Sequence, residues 1–468
     1  MAIRRWISRH KSGPNLYRQL VGLIVIAVLL YGIFTPFLKV IRLPPEYRVN
    51  VGEPLQIPLG LPQAIKSRLS FRVNSLNGSE QVLTFKGGQG GSVSDLLGLS
   101  IADKPGTVDL EMCLFGFVPL KKLVVTVASP VYVVPGGQSI GVFLRNHGVT
   151  VVDFAPIRDD TGQECSPCVM VGIQPGDVIL KANDNDIIDE INLAEIVNVI
   201  GKEGKPLKLL IERGNERIDL SVQPIFCTET KRYRIGILVK DGSAGVGTLS
   251  FYNPESGIYG ALGHVILDPS SNQEMEIKDG RIVMASIEGI QPGRKGQPGE
   301  KLGVLESDKT IGSIKKNSRF GIYGTLDSDI SSPIYPEPIP VAWQNQVHEG
   351  PATMLTVIKN NEIESFEVRV EKILQNRSDG KGMVIRVTDP RLLHLTGGII
   401  QGMSGSPLIQ DGRLIGAVTH VFVNDPTKGY ALLAEYMLSE IFRIPINISS
   451  VRSFSSGRLL FYSIIIGK

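Results

Sequence analysis

The sequence predicts a mainly β protein of several domains behind an N-terminal apolar helix. Three observations carry that prediction. The chain has 51 Gly and 29 Pro with only 6% aromatic residues, a mix that favours tight turns and short strands over helical bundles. Its 468 residues are 42% hydrophobic, enough for about two to four packed cores and too apolar for wholesale disorder. A basic N-terminus precedes an apolar run over residues 20–38. The formal net charge is only +3, and basic residues crowd together nowhere else. Nucleic-acid binding through a broad positive face is therefore disfavoured. Four Cys are too few for a disulfide scaffold.

Residues 1–43 read as a cytoplasmic leader and membrane anchor. Arg4, Arg5, Arg9, His10, Lys11 and Arg18 stand ahead of the apolar run. A helix rising ~1.5 Å per residue needs about 20 residues to cross a hydrocarbon core. The positive flank keeps the N-terminus cytoplasmic and sends the remainder across, in a single pass. A signal peptide would end in small residues at a cleavage site, whereas Lys39-Val40-Ile41-Arg42 follows here. Residues 44–129 hold short alternating runs, such as Tyr47-Arg48-Val49-Asn50-Val51 and Leu123-Val124-Val125-Thr126-Val127. They predict a β-rich module in which no chemistry is evident. Residues 446–468 form a tail whose apolar stretch is too short to span a membrane.

Residues 130–226 change texture. Strands are expected at Val131-Tyr132-Val133-Val134 and from Ile140, a helix over 191–200, and further strands over 207–213 and 217–223. Within this region Gln174-Pro175-Gly176-Asp177-Val178-Ile179 resembles the core of PDZ domains. In that family an open sheet edge captures an extended peptide, and a glycine-containing loop holds its carboxylate. The matching loop here is Ser139, Ile140 and Gly141 after Gln138. It departs from the family's Gly-Leu-Gly-Phe, so strand addition is the expected mode of binding. Cys165-Ser166-Pro167-Cys168 admits three readings: a local disulfide, a redox-sensitive clip or half of a metal site. The disulfide suits an extracytoplasmic chain best.

Residues 227–445 carry the chemistry. Gly402-Met403-Ser404-Gly405-Ser406-Pro407 looks like the nucleophile loop of chymotrypsin-like serine peptidases, which are double β-barrels. A nucleophilic serine needs an exposed hydroxyl within reach of a base. A glycine two places earlier lets the amides of Gly402 and Ser404 converge as an oxyanion hole, worth about 2.7–4 kcal/mol per donor. The chain has six His. His10 lies in the leader, His147 in the PDZ-like region and His348 in a polar loop, while His394 and His420 read as structural. His264 follows the small-residue run Gly260-Ala261-Leu262-Gly263 and is the expected base. The order His264 then Ser404 suits a base from one barrel and a nucleophile from the next. For the orienting acid, Asp268, Asp327, Asp329 and Asp389 all remain open, and spacing favours Asp327 and Asp329.

Three blocks together resemble the stage IV sporulation protein B family of serine peptidases. They are Pro135-Gly136-Gly137-Gln138-Ser139-Ile140-Gly141; Tyr259-Gly260-Ala261-Leu262-Gly263-His264-Val265-Ile266; and the stretch from Thr388-Asp389-Pro390 through the serine loop to Val421. The resemblance spans residues 130–445 and the anchor. It implies His264 as base, Ser404 as nucleophile and Asp389 as acid, with neither metal nor cofactor. It further implies a protein of the forespore membrane whose catalytic part lies in the intermembrane space. Such a protein cuts itself free and then cuts an extracytoplasmic regulator of an intramembrane protease, which leads to sigma-factor activation during sporulation. The PDZ domain would recognise the protein itself and its substrate. Two alternatives stand beside this reading: a non-catalytic PDZ scaffold at the membrane, and a thiol-redox sensor built on Cys165 and Cys168.

Overall fold

The computed structural model describes residues 43–441 apart from 56, 58, 60, 75–82, 85–100, 103, 215, 268–273, 276, 278, 328, 329, 375, 376 and 378, and ahead of them 19–25, 31, 35, 38, 40 and 41. The chain forms two units, 1–130 and 131–468.

In the first unit, strands β1 (Glu46–Asn50), β2 (Leu69–Asn74), β3 (Gly106–Leu114) and β4 (Val118–Ala128) form a sheet in the order β1-β4-β3-β2. The β1–β4 pair is parallel and the others antiparallel. Alternation along β3 and β4 drives Val108, Leu110, Met112, Leu123, Val125 and Val127 into one core, as the period of two requires. Residues 19–25 are helical. Among the described residues no helix is long and apolar enough to cross a membrane. Much of the expected anchor and all of the 446–468 tail lie outside those residues.

The second unit begins with β5 (Tyr132–Pro135) and the 16-residue strand β6 (Ser139–Phe154). A small lobe follows: β7 (Val178–Ala182), α1 (Glu190–Lys202), β8 (Leu207–Arg213), β9 (Glu216–Val222) and the hairpin β10 (Ile225–Cys227) and β11 (Arg232–Arg234). The 16-residue β12 (Ile237–Tyr252) then leads to β13 (Ile258–Ala261), β14 (Asp279–Gln291), β15 (Glu300–Ser318) and β16 (Gly321–Leu326). Pairing runs β6-β14-β15-β16-β13-β12 and returns from β12 to β6, which closes a six-stranded barrel. A second closed barrel takes β17 (Gly350–Lys359), β18 (Glu362–Ile373), β19 (Met383–Val387), β20 (Pro407–Gln410), β21 (Arg413–Val421) and β22 (Lys428–Leu433), in the order β17-β18-β19-β22-β21-β20. Helix α2 (Pro390–Thr396) bridges β19 to the serine loop, and α3 (Ala434–Ile441) follows β22. The expected double β-barrel is thus present.

The strand pairing redraws the expected boundary at 226/227. Strands β6 and β12 each serve two cores. Their barrel halves pair Ser139↔Thr248 through Arg145↔Gly242, and their lobe halves pair Thr150↔Lys240 through Phe154↔Ile237. At about 3.3 Å per residue, 16 residues outreach one small barrel. The lobe is therefore an insertion between two barrel strands. Its own core gathers Val149, Val151, Ile179, Leu193, Val197 and Leu207. The Asp177 of the Pro-Gly-Asp stretch is 1% exposed, and its carboxylate receives two bonds of 2.7 Å from Arg213.

Two further expectations change. Ser139 and Ile140 are 1% and 0% exposed, and the segment 139–141 is paired with β12 on one side while Ile140 and Gly141 pair with β14 on the other. Ser139, Ile140 and Gly141 thus form barrel wall and offer no open edge to a peptide. The four cysteines are free thiols. Cys168 is fully buried in the lobe core, where desolvation pushes its thiol up to about 12. Cys165 Sγ donates to Ile157 O at 3.5 Å. The local disulfide is not formed.

Candidate active site

The seam between the barrels is organised by the serine loop. Gly402 and Gly405 have φ of +89° and +95°, the left-handed region that glycine enters without a Cβ penalty. Contact enforces glycine at 405 as well, because a Cβ there would lie 2.0 Å from Thr248 O and 2.6 Å from Leu262 N. The loop is pinned from both barrels. Thr248 of β12 donates its N–H to Ser404 O at 2.9 Å and its hydroxyl to Gly402 O at 2.8 Å. Gly405 N–H donates to Val418 O on β21 at 2.8 Å. Among the described residues, the amides of Gly402 and Ser404 donate to no protein group. They are the pair that the sequence assigns to the oxyanion hole.

Ser404 Oγ donates to Thr419 O at 2.9 Å. His264 lies just past β13, after Leu262 and Gly263 at φ +68° and +73°. Gly263 packs on the same strand β21, where a Cβ would come within 3.0 Å of the Thr419 side chain. The His264 ring sits 5.3 Å from the ring of His420, centroid to centroid, and its Nδ1 is 2.9 Å from Val265 O. That contact makes Nδ1 the protonated nitrogen and leaves Nε2 as the basic one. The serine hydroxyl thus bonds Thr419 O while the imidazole lies against the ring of the next residue, His420, each on its own partner rather than on the other. Burial lowers the His264 pKa below its ordinary value, outweighing the Val265 carbonyl. His420 has a large exposed area, yet the protein packed around its ring, with His264 and Lys381 beside it, pushes it down to about 4.

Asp389 is elsewhere. It is the N-cap of α2 and accepts from Arg391 N at 2.9 Å and from Glu367 N at 3.3 Å. The Arg391 guanidinium closes on it at 3.1 Å. Burial raises its carboxyl, but Arg391 and these backbone donors outweigh that and hold it below the usual carboxylate range. Among the described residues no bond joins it to His264; in this structure Asp389 caps α2. Asp327 is exposed at the end of β16, and Asp268 and Asp329 lie outside the described residues. The side chain that fixes the His264 loop is Asn317 of β15, which accepts from Ile266 N at 2.9 Å and donates to Ile266 O at 2.8 Å. His348 pairs with Asp411 at 2.7 Å on the surface, and His394 lies in the last turn of α2.

The 292–299 turn between β14 and β15, exposed except at Gly293 and Gly299, is anchored to the approach of the serine loop. Gly293 N–H donates to Thr396 O, and Gln401 N–H donates to Gly299 O, each at 2.8 Å. Thr248, Asn317, Lys301 and Thr419 were not singled out in the sequence. Nothing in their local sequence marks them, and only pairing brings them to the seam.

The SpoIVB peptidase S55 family profile matches residues 231–438. These residues belong to the SpoIVB serine peptidase family. The SpoIVB match begins at β11, whereas the first barrel takes one of its six strands from Ser139–Arg145, ahead of it. A probable CtpA-like serine protease of Staphylococcus saprophyticus subsp. saprophyticus is 31% identical over 123 residues, 25% of this chain and 22% of that protein. The chain therefore spans less than a quarter of that relative. Among solved structures, the active form of the Rv3671c protease from M. tuberculosis aligns with a TM-score of 0.27 and 15% identity over 44% of this chain and 75% of that one. Human heparin binding protein aligns with a TM-score of 0.24 and 13% identity over 42% and 84%. The matched residues are thus similar to serine peptidases.

Proposed function

We propose that the chain is a membrane-anchored serine endopeptidase in which His264 is the base and Ser404 the nucleophile. It cuts itself and then an extracytoplasmic regulator of an intramembrane protease during sporulation. The observation that carries the reading is the SpoIVB match over a seam where Ser404 and His264 share residues 419–420 as neighbours. For the reaction the Ser404 hydroxyl must leave Thr419 O for the imidazole, a change between staggered χ1 wells. Such bonds are commonly loose in a free enzyme and tighten with substrate. His264 then takes the hydroxyl proton as Oγ attacks the peptide carbonyl. The amides of Gly402 and Ser404 receive the oxyanion. The imidazolium returns its proton to the leaving amine, and water repeats the sequence on the acyl-enzyme.

The basic leader and apolar run support anchoring in the forespore membrane with the barrels in the intermembrane space. The lobe, a sheet β9-β8-β7-β6 against α1, supports a PDZ-type module for self and substrate recognition. The test follows the mass of the purified full chain over time, with and without Ser404→Ala, alongside fluorophosphonate labelling. Wild type is expected to trim itself and to be labelled at Ser404, and the Ala variant to do neither. Equal trimming by both proteins would falsify the assignment.

A further inference from the structure

Beneath the serine loop lies a lysine that the reaction outlined above does not use. Lys301, near the start of β15, is 5% exposed. Its backbone N–H donates to Gln401 O at 3.0 Å, and its stem runs directly under Gly402. A Cβ on Gly402 would stand 3.1 Å from both Cβ and Cδ of Lys301. The ammonium emerges between the barrels. There it donates to Thr356 Oγ1 of β17 at 2.9 Å and to Ser139 Oγ of β6 at 3.3 Å. Thr356 Oγ1 also accepts from Ser406 Oγ at 3.0 Å. Lys301 thus supports the loop at both ends, by its backbone at residue 401 and through Thr356 at residue 406.

No carboxylate accompanies it among the described residues. Strand β6 contributes Ser139, β17 contributes Thr356, and the segment 397–407 contains no ionisable side chain. Strand β14 places Ile290 opposite Lys301. On its own strand the neighbour Glu300 points to the other face, as strand alternation requires. A buried ammonium held only by hydroxyls is costly, and the barrels retain one at their seam.

We propose that Lys301 is a positioning residue of the peptidase, whose buried positive charge holds the Gly402–Ser406 loop in place and favours the oxyanion that forms on it. This rests on the assignment of Ser404 as nucleophile. Burial brings the Lys301 ammonium down to about 7, so its charge is present below that pH and lost above it. The base behaves oppositely, since His264 must be neutral. The reactivity of Ser404 is therefore bell-shaped in pH, rising as His264 deprotonates and falling as Lys301 does.

The test measures the rate of fluorophosphonate labelling of the full chain from pH 5 to 9, for wild type, Lys301→Met and Thr356→Val. Loss of wild-type labelling in Ser404→Ala checks the peptidase reading first and separately. Lys301→Met should label about ten-fold more slowly at the wild-type optimum, a change of ~1.4 kcal/mol in barrier, and should lack the falling limb near pH 7. Thr356→Val, which keeps the shape of the side chain and removes the shared hydroxyl, should slow labelling as well. Labelling of Lys301→Met within about two-fold of wild type overturns the proposal. So does a constant slowing with the falling limb intact, the mark of a merely structural lysine. Amide exchange across residues 401–406 provides a readout that needs no chemistry at Ser404. It should quicken by about ten-fold or more in Lys301→Met, or in Thr356→Val if the first variant does not fold. Unchanged exchange overturns the proposal whatever the labelling shows.

Discussion

At the scale of single residues, the site separates chemistry from support. Asp389 is the clearest case. An orienting acid would touch the imidazole, and its loss would cost about 10⁴-fold in rate. Asp389 instead caps α2 and binds Arg391. Asp389→Ala is therefore expected to lower unfolding free energy by about 1–2 kcal/mol, as cap removal does, and to leave fluorophosphonate labelling of Ser404 within about three-fold of wild type. Urea denaturation and labelling kinetics on one preparation read both. A drop in labelling of several orders of magnitude would restore Asp389 to the reaction. The sequence exposed Ser404 and His264 because their chemistry leaves local marks, glycines that bend the chain and an imidazole after small residues. It could not expose the acid, because what an aspartate orients depends on which element it ends up beside. Lys301 was silent for the same reason: nothing in Glu300-Lys301-Leu302-Gly303 says that one barrel will place it under a loop of the other.

At the scale of elements, the serine loop is a left-handed turn wedged between β12 and β21. Gly405→Ala must both hold a Cβ at φ +95° and push it into Thr248 O, so a loss of about 3 kcal/mol or more is expected. Gly412 is the control. It lies in a turn at φ +72° with nothing within 4 Å of its Cβ position, and Gly412→Ala should cost only about 1–2 kcal/mol. Comparable losses for the two in urea denaturation would mean that the wedge is not what makes glycine necessary at 405. Elements of this kind were legible in outline. The short alternating runs did become strands, and the Gln-Pro-Gly-Asp stretch did turn into β7. Pairing was less legible. The run from Ser139 reads as the edge of a binding module, yet its first half is enclosed by β12 and β14. Periodicity identifies a strand's buried face, but partners are chosen by contacts distant in sequence.

At the scale of the whole molecule, the lobe is carried on two strands rather than on a linker. Its core, around Leu193 and Leu207, shares no residue with the first-barrel core around Leu249 and Ile282. The chain crosses between them where Arg145 pairs with Gly242. Excising residues 146–241 and closing the gap with Asn-Gly, which favours a two-residue hairpin, should leave the barrel pair folded. Ser404 should then be labelled within about three-fold of the intact rate, since every group touching the serine loop remains. A deletion variant that cannot be labelled, though folded by circular dichroism, would show that the lobe completes the site.

The doubled role of β6 and β12 bears on what proteolysis of this molecule looks like. A cut between residues 155 and 236 leaves the N-terminal product with one stave of the closed barrel, β6, and the C-terminal product with the other five, laced together by main-chain hydrogen bonds. The products would travel as one particle on a native gel and part only in denaturant. Severing the chain there would go unseen by any assay that counts particles.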